Sequence, residues 1–220
     1  KWWTIMITAV VAVRKGSQRV PNKNIKPFGD SNLLEMKLKL LSEVDGIDEV
    51  IVNSDCDKML DIGKQYGVKT HKRDEYFASS KATNSEFHRN IAETTETDII
   101  FLAPVCAPFV TAKSHQTAID YYCGGLFDSI TSVTEVKNHL WLDGKPINYD
   151  LDNVPNSQDL PNIVKLTYGI SIVDKNIMFD KAGLVGNHPG FITLNELEST
   201  DIDTEFDWQI AEAIYKNIKG

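Results

Sequence analysis

The feature that most limits how this chain can fold is its first apolar run, residues 5–13, I-M-I-T-A-V-V-A-V. Successive positions are apolar, so a strand formed here must be covered on both faces, as in a parallel sheet. Runs of the same character recur at 49–53 (E-V-I-V-N) and 98–102 (D-I-I-F-L), and helical stretches at 33–44 and 57–66 lie between them. Gly67 closes the second helix in the position a C-cap favours. Strand, helix, strand, helix, strand predicts an α/β fold built on a doubly wound, mostly parallel sheet. A further helix is expected over 114–122, a strand over 129–136, and a return of the core pattern over 164–173. The last helix is expected over 205–218, where Phe206, Ile210, Ile214 and Ile218 follow one another at a spacing of four.

Between the last two strand signals the texture changes. Residues 137–162 are polar and rich in turn formers, among them Asp143-Gly144, Pro146, Asn153, Pro155, Asn156 and Pro161. A stretch this long without a core of its own is uncommon inside a compact domain, and signals a functional lid or an arm that packs on a partner.

Charge and cysteine usage restrict the function classes. With 23 Lys+Arg against 31 Asp+Glu the net charge is −8, and no run of five or six basic residues occurs. Broad electrostatic contact with nucleic acid is therefore not expected, and any phosphate binding must be local. Cys56, Cys106 and Cys123 are widely spaced and form no C-x-x-C, which points to a reducing cytoplasm. Residues 2–13, apolar after a lysine, lack an A-x-A cleavage pattern and are too short to cross a bilayer, so they read as a buried strand and no membrane association is expected. The chain opens on Lys1, not Met, so its natural start is expected upstream. His71, His88, His115, His139 and His188 have no metal-ligand spacing, and the chain carries no Walker loop, no G-x-G-x-x-G and no G-x-S-x-G.

Directly after the first strand comes R-K-G-S-Q-R-V-P-N-K-N, with Arg14, Lys15, Arg19 and Lys23 within ten positions of an otherwise acidic chain. In open α/β sheets ligands bind beyond the carboxyl ends of the strands, and a loop holding Gly16 and Ser17 can aim backbone N–H groups at an anion. Arginine adds bidentate oxygen contacts and lysine a point charge, so this loop is the expected phosphate site.

Two further clusters stand out. Residues 73–84, R-D-E-Y-F-A-S-S-K-A-T-N, read by themselves as a polar loop entering a helix near Asn84. Near the carboxyl end, Asp201-Ile202-Asp203-Thr204-Glu205-Phe206-Asp207 is the strongest acidic constellation. Carboxylates at i and i+2 of an extended segment point the same way and can share one hard cation, and Mg²⁺ binds through one or two carboxylates plus substrate phosphates. The same stretch also reads as a helix start, with Asp203 or Thr204 as N-cap and Asp207 completing an approximate capping box. Asp55, in N-S-D-C-D after the second strand, reads as another N-cap.

The stretch V-A-V-R-K-G-S-Q-R-V-P-N-K-N resembles the N-terminal signature of the cytidylyltransferases that activate acidic sugars, the acylneuraminate (CMP-sialic acid synthetase) family and its Kdo-activating relatives. Arg14, Ser17, Pro21, Lys23 and Asn24 fall at the family's spacing. The resemblance implies a Rossmann-like nucleotidyltransferase fold spanning 1–220 as one domain, with 137–162 as a dimerisation arm. It also implies that Arg14 and Lys23 hold the triphosphate of CTP with Ser17 and neighbouring amides such as that of Gly16, and that Asn24 lies at the nucleotide site. By position, Arg73, Ala82 and Asn84 would read the cytosine. The ending resembles the family's I-D-I-D-T-E-x-D, which makes Asp201 and Asp203 the Mg²⁺ ligands and places Asp203 with Arg14 and Lys23 among the catalytic residues.

Departures from the family pattern fall on the acceptor side. Where the family shows L-Q-P-T-S-P-L-R-T, this chain has Ala103, Val105, Cys106 and Val110 in place of polar residues, and only Gly169 survives of a later R-P-N-G-A-I segment. The implied activity is Mg²⁺-dependent transfer of CMP from CTP to the anomeric hydroxyl of an acidic sugar other than ordinary N-acetylneuraminate, releasing pyrophosphate. A homodimer is implied as well, with Leu140, Trp141 and Leu142 of the arm as interface anchors. Two alternatives stand beside this reading: a nucleotide-sugar glycosyltransferase using Asp201-Ile202-Asp203 as a D-x-D motif, and a catalytically silent nucleotide-binding homologue.

Overall fold

The structure, a computed structural model, describes residues 5–219. Residues 2–4 of the apolar opening lie outside them. Seven strands form the main sheet: β1 (Ile7–Ala12), β2 (Glu49–Ser54), β3 (Lys69–Lys72), β4 (Ile99–Leu102), β5 (Ser129–Val136), β6 (Ile163–Asp174) and β7 (Pro189–Thr193). Their order is β7-β5-β6-β4-β1-β2-β3. β1 runs parallel to both β2 and β4, β2 to β3, and β7 to β5; β6 alone is reversed, antiparallel to β4 and β5. The doubly wound, mostly parallel sheet expected from the strand-helix alternation is the one observed.

The central position of β1 explains its composition. Ile7, Ala9 and Val11 pack into one core with α1 (Leu33–Leu41), α2 (Asp57–Gln65) and two later helices, α5 (Ala112–Cys123) and α7 (Glu205–Lys219). Val10 points the other way, into a smaller core with Ile91 of α4 (Asn84–Thr94) and Met178 of α6 (Lys175–Lys181). The remaining helix, α3 (Glu75–Ala78), is a single turn. Burial of Ile7, Val10 and Val11 contributes roughly 1.5–3 kcal/mol each, and Ala9 less.

Two local readings are corrected. The row Phe206, Ile210, Ile214 and Ile218 does not face the core: Phe206, Ile210 and Ile218 are exposed, and α7 buries Trp208 and Ala211 instead. An aromatic corner decides the rotation, since Phe28 meets Trp208 edge-on at 5.2 Å and Tyr215 at 5.4 Å. Asp55 does not cap α2. Cys56 is the N-cap residue, with no side-chain cap, and the Asp55 carboxylate accepts from the Lys15 backbone N–H at 2.8 Å.

Residues 137–162 hold a two-stranded ribbon, Trp141–Leu142 against Lys145–Pro146, and one 3₁₀ turn, Ser157–Asp159. Side-chain amides organise it: Asn148 donates to the Asn138 carbonyl and accepts from the Leu140 N–H, each at 2.8 Å. Trp141, Leu142, Ile147, Leu151 and Val154 stay exposed.

Candidate active site

The loops that follow β1, β2, β3 and β4 leave the same edge of the sheet, where the parallel strands end. Those after β1, β3 and β4, with Asp203 from near the carboxyl end, line a cleft of about 580 Å³. Of the residues singled out from the sequence, Arg14, Ser17, Lys23, Asn24, Arg73, Ala82, Asn84 and Asp203 all line it. Gly16 and Asp201 do not. Gly16, held at φ +83°, faces an adjoining hollow of about 320 Å³ with Lys15 and Asp55.

The first loop is closed by its own polar groups. Asn24 is buried, and its Nδ2 donates to the Arg14 carbonyl at 3.1 Å, so the loop's end is tied to its beginning. Asn22 takes a positive φ of +55°, a conformation asparagine tolerates, and its carbonyl accepts from the N–H groups of Ile25 and Lys26. Arg14 reaches across the cleft edge, Nη1 donating to the Ala78 carbonyl at 2.9 Å.

Arg73 lines the same cleft, close to Arg14. Only 4% exposed, it donates from Nη2 to the Val13 carbonyl and lies 5.1 Å from the Phe87 ring centroid. Burial pushes its pKa down to about 10, which still leaves the guanidinium charged at neutral pH, and its Nε–H is buried without a partner. Ala82 and Asn84 flank it at the start of α4, which Thr83 opens with a capping box to Glu86.

The acidic segment arrives from the far end of the chain. Asp203 Oδ1 lies 3.1 Å from Arg19 Nη2 and 3.7 Å from Lys23 Nζ, and that lysine also donates to the Ile202 carbonyl. The open question of the helix cap resolves in favour of Thr204. Its Oγ1 accepts from the Asp207 N–H at 3.2 Å, while the Asp207 carboxylate accepts from the Thr204 N–H at 2.7 Å. Asp203 is thereby left free to face the cations. Asp201, two residues earlier, lies beside the Cys106 thiol. Desolvation raises the Asp201 pKa, the neighbouring thiol opposes this, and the Asp203 charge adds to the rise. Burial first, and then the Asp201 charge, push the Cys106 thiol up to about 12, so it is not a nucleophile at neutral pH.

Among the described residues no group of three or more His, Cys, Asp or Glu is placed to hold a metal ion. The candidate donors are the two aspartate carboxylates, of which Asp203 alone lines the cleft. Carboxylates of this kind fit a hard cation that takes its remaining ligands from substrate phosphates and water, and fit neither zinc nor a caged calcium.

Several lining residues were not singled out beforehand. Arg19 was visible as one cation of four, but only the fold shows that it reaches Asp203. Phe77 and Phe87 form an aromatic wall, and Pro104, Val105 and Cys106 give the cleft a side with little polar character. Gln18, Ser79, Ser80 and Thr83 also reach it.

A mostly parallel sheet whose loops gather basic groups and a carboxylate in one cleft defines a nucleotide-handling α/β protein. Residues 8–139 match the family described as cytidylyltransferase, and the chain belongs to that family. It is 25% identical over 218 residues to N-acylneuraminate cytidylyltransferase A of Danio rerio, covering 94% of this chain and 50% of that protein, so it spans half of that relative's length. It is 21% identical over 220 residues to pseudaminic acid cytidylyltransferase of Campylobacter jejuni, covering 94% and 95%. Among solved structures it resembles CMP:2-keto-3-deoxy-manno-octonic acid synthetase complexed with CTP, with a TM-score of 0.71, 13% identity and coverage of 96% and 99%; at that identity the likeness shows the fold.

Proposed function

We propose that this cytidylyltransferase moves CMP from CTP to the anomeric hydroxyl of an acidic sugar other than ordinary N-acetylneuraminate, and releases pyrophosphate. The observation that carries this reading is that Arg19 and Lys23 meet Asp203 in a cleft that Arg14, Arg73, Ala82 and Asn84 also line. Arg14 and Lys23, with Ser17 and the amides around Gly16, bind the triphosphate and balance charge on the departing pyrophosphate. Arg73, with Ala82 and Asn84, faces the base, and Asn24 keeps the loop closed.

In the reaction the sugar hydroxyl oxygen bonds to the α-phosphorus, the bond from that phosphorus to the bridging oxygen of pyrophosphate breaks, and the hydroxyl proton passes to solvent. The chain contributes positioning and charge stabilisation, since such a displacement asks for little covalent help. Asp201 and Asp203 would hold Mg²⁺, which when bound supplies charge neutralisation at phosphate oxygens. The low polarity of Pro104, Val105 and Cys106, and the pseudaminic acid named for the Campylobacter jejuni relative, support an acidic sugar of modified structure.

The protein is proposed to work in a reducing cytoplasm, in keeping with its three free thiols, and as a homodimer through residues 137–162. No helix among the described residues is long and apolar enough to cross a membrane. The test is a panel of acidic sugars incubated with CTP and Mg²⁺, read by the mass of the CMP conjugate and by pyrophosphate release. CTP left unconsumed with every acceptor would overturn the proposal.

A further inference from the structure

Glu198 takes no part in the roles above, yet it is one of the most fully satisfied carboxylates in the protein. It is 7% exposed. Oε1 accepts from the Thr111 N–H at 3.1 Å, the Thr111 hydroxyl at 2.9 Å and the Ser114 hydroxyl at 2.5 Å, and Oε2 accepts from Asn195 Nδ2 at 3.0 Å. Helix α5 does not need it as a cap, because Thr111 Oγ1 already accepts from the Ser114 N–H at 3.2 Å.

Its place in the chain gives the carboxylate another use. Three residues downstream lies Asp201, and one further on the Ile202 N–H donates to the Cys106 carbonyl at 2.9 Å. Ile202 is fully buried. Thr111 and Cys106 are the end and the middle of one loop, 103–111, which runs from β4 to α5 and supplies Pro104, Val105 and Cys106 to the cleft wall. The acidic segment is thus fastened to that loop on both sides of Asp201, upstream by Glu198 and downstream by Ile202.

We infer that Glu198 is a positioning residue that locks Asp201-Ile202-Asp203 against the 103–111 loop, setting both carboxylates at a fixed height relative to Lys23 and Arg19. The inference rests on the proposed role of the two aspartates. Truncating Glu198 leaves the Thr111 N–H and two hydroxyls without their shared acceptor, so the upstream tie is lost and Ile202 alone holds the acidic segment to the loop. A small displacement of reacting groups is enough to slow a reaction without weakening the binding of substrate elsewhere.

Glu198→Ala and Glu198→Gln, each compared with the wild type, test this. In Glu198→Ala, kcat is expected to fall by about ten-fold or more while KM for CTP stays within about two-fold, because the triphosphate cations do not touch Glu198. Glu198→Gln keeps Oε1 as an acceptor and is expected to recover most of that turnover. Hydrogen exchange supplies a readout independent of activity: in Glu198→Ala the Ile202 amide should exchange about ten-fold faster while the Val10 and Val11 amides of β1 are unchanged. Unaltered protection at Ile202, an unchanged kcat, or a rise in KM alone would overturn the inference. If the wild type forms no CMP conjugate, the functional reading falls, and the exchange comparison still decides whether Glu198 holds the segment.

Discussion

Lys23 Nζ stands 3.7 Å from Asp203 Oδ1, joining the first loop of the chain to its last. The ammonium is mostly shielded, at 14% side-chain exposure, whereas the Arg19 guanidinium on the same carboxylate is 65% exposed. An exposed ion pair of the Arg19 kind contributes little to stability, so the arrangement is better understood as a site than as a brace. Asp203→Asn is expected to lower kcat by about 100-fold while changing CTP affinity only a few-fold, the signature of a group used in the transition state. Isothermal titration with CTP beside steady-state kinetics would check it, and near-normal turnover would remove Asp203 from the catalytic set.

Lys37 carries a different prediction. Its ammonium is fully buried on α1 with no hydrogen-bond partner, and burial pulls its pKa down to about 8. The groups coupled to it are the Cys106 thiol and His115, whose own pKa falls to about 3 through burial and then the Lys37 charge. At Lys37 the folded state therefore binds fewer protons than the unfolded state, so this group's contribution to stability should rise with pH between about 8 and 10.5 by up to about 3 kcal/mol, while the Cys106 thiol, raised to about 12, holds its proton longer in the folded state and offsets part of that rise above about pH 9. Lys37→Met should flatten that rise and raise Tm at neutral pH by several degrees, since it removes an unpaired buried charge. Thermal melts of both proteins across this pH range decide the point.

Gly29 tests how α7 is seated. At φ +57° it lies under the Tyr215 ring, and a Cβ there would come within 2.1 Å of Tyr215 Cε1. Gly29→Ala combines a left-handed backbone with a forced shift of an aromatic ring, for an expected loss of about 3 kcal/mol. Gly16→Ala shares the positive φ but meets nothing within 4 Å, so it should lose only about 1–2 kcal/mol. Urea unfolding of the two variants separates collision from backbone strain.

How far the sequence could be read depends on how local the determining interactions are. The β1 run needed no partner to identify it, because only a strand covered on both sides tolerates Ala9, Val10 and Val11 together. Likewise the cations of the first loop and the acids at 201 and 203 stood out by residue type, and 179 residues of separation do not keep Lys23 from Ile202 and its neighbour Asp203. What escaped was set by contacts from elsewhere. The face of α7 follows Phe28, not the helix's own apolar spacing, and Asp55 turned from the α2 cap it resembled to the Lys15 N–H. The reversal of β6 left no local mark either, since an interior strand is apolar whichever way it runs.

The arm provides the last prediction. Trp141, at 53% exposure, hydrogen-bonds through Nε1 to the Tyr149 hydroxyl at 2.6 Å, which fixes the indole outward beside Leu142. Tyr149 is held in turn by an edge-on contact with His139 at 4.7 Å. A monomer rarely displays so many large apolar side chains on one projection, and here Ile147, Leu151 and Val154 join them. If the proposed homodimer forms through this segment, Trp141→Asp should weaken association by about 100-fold or more and leave a folded subunit, because the indole is 53% exposed and its hydrogen-bond partner, Tyr149, lies within the same arm. Sedimentation velocity at about 10 µM is expected to show a dimer for the wild type and a monomer for the variant, a concentration range in which a specific interface of ordinary size holds. A wild type that sediments as a monomer there would exclude the arm as a stable interface, and a variant that stays dimeric would move the interface away from Trp141.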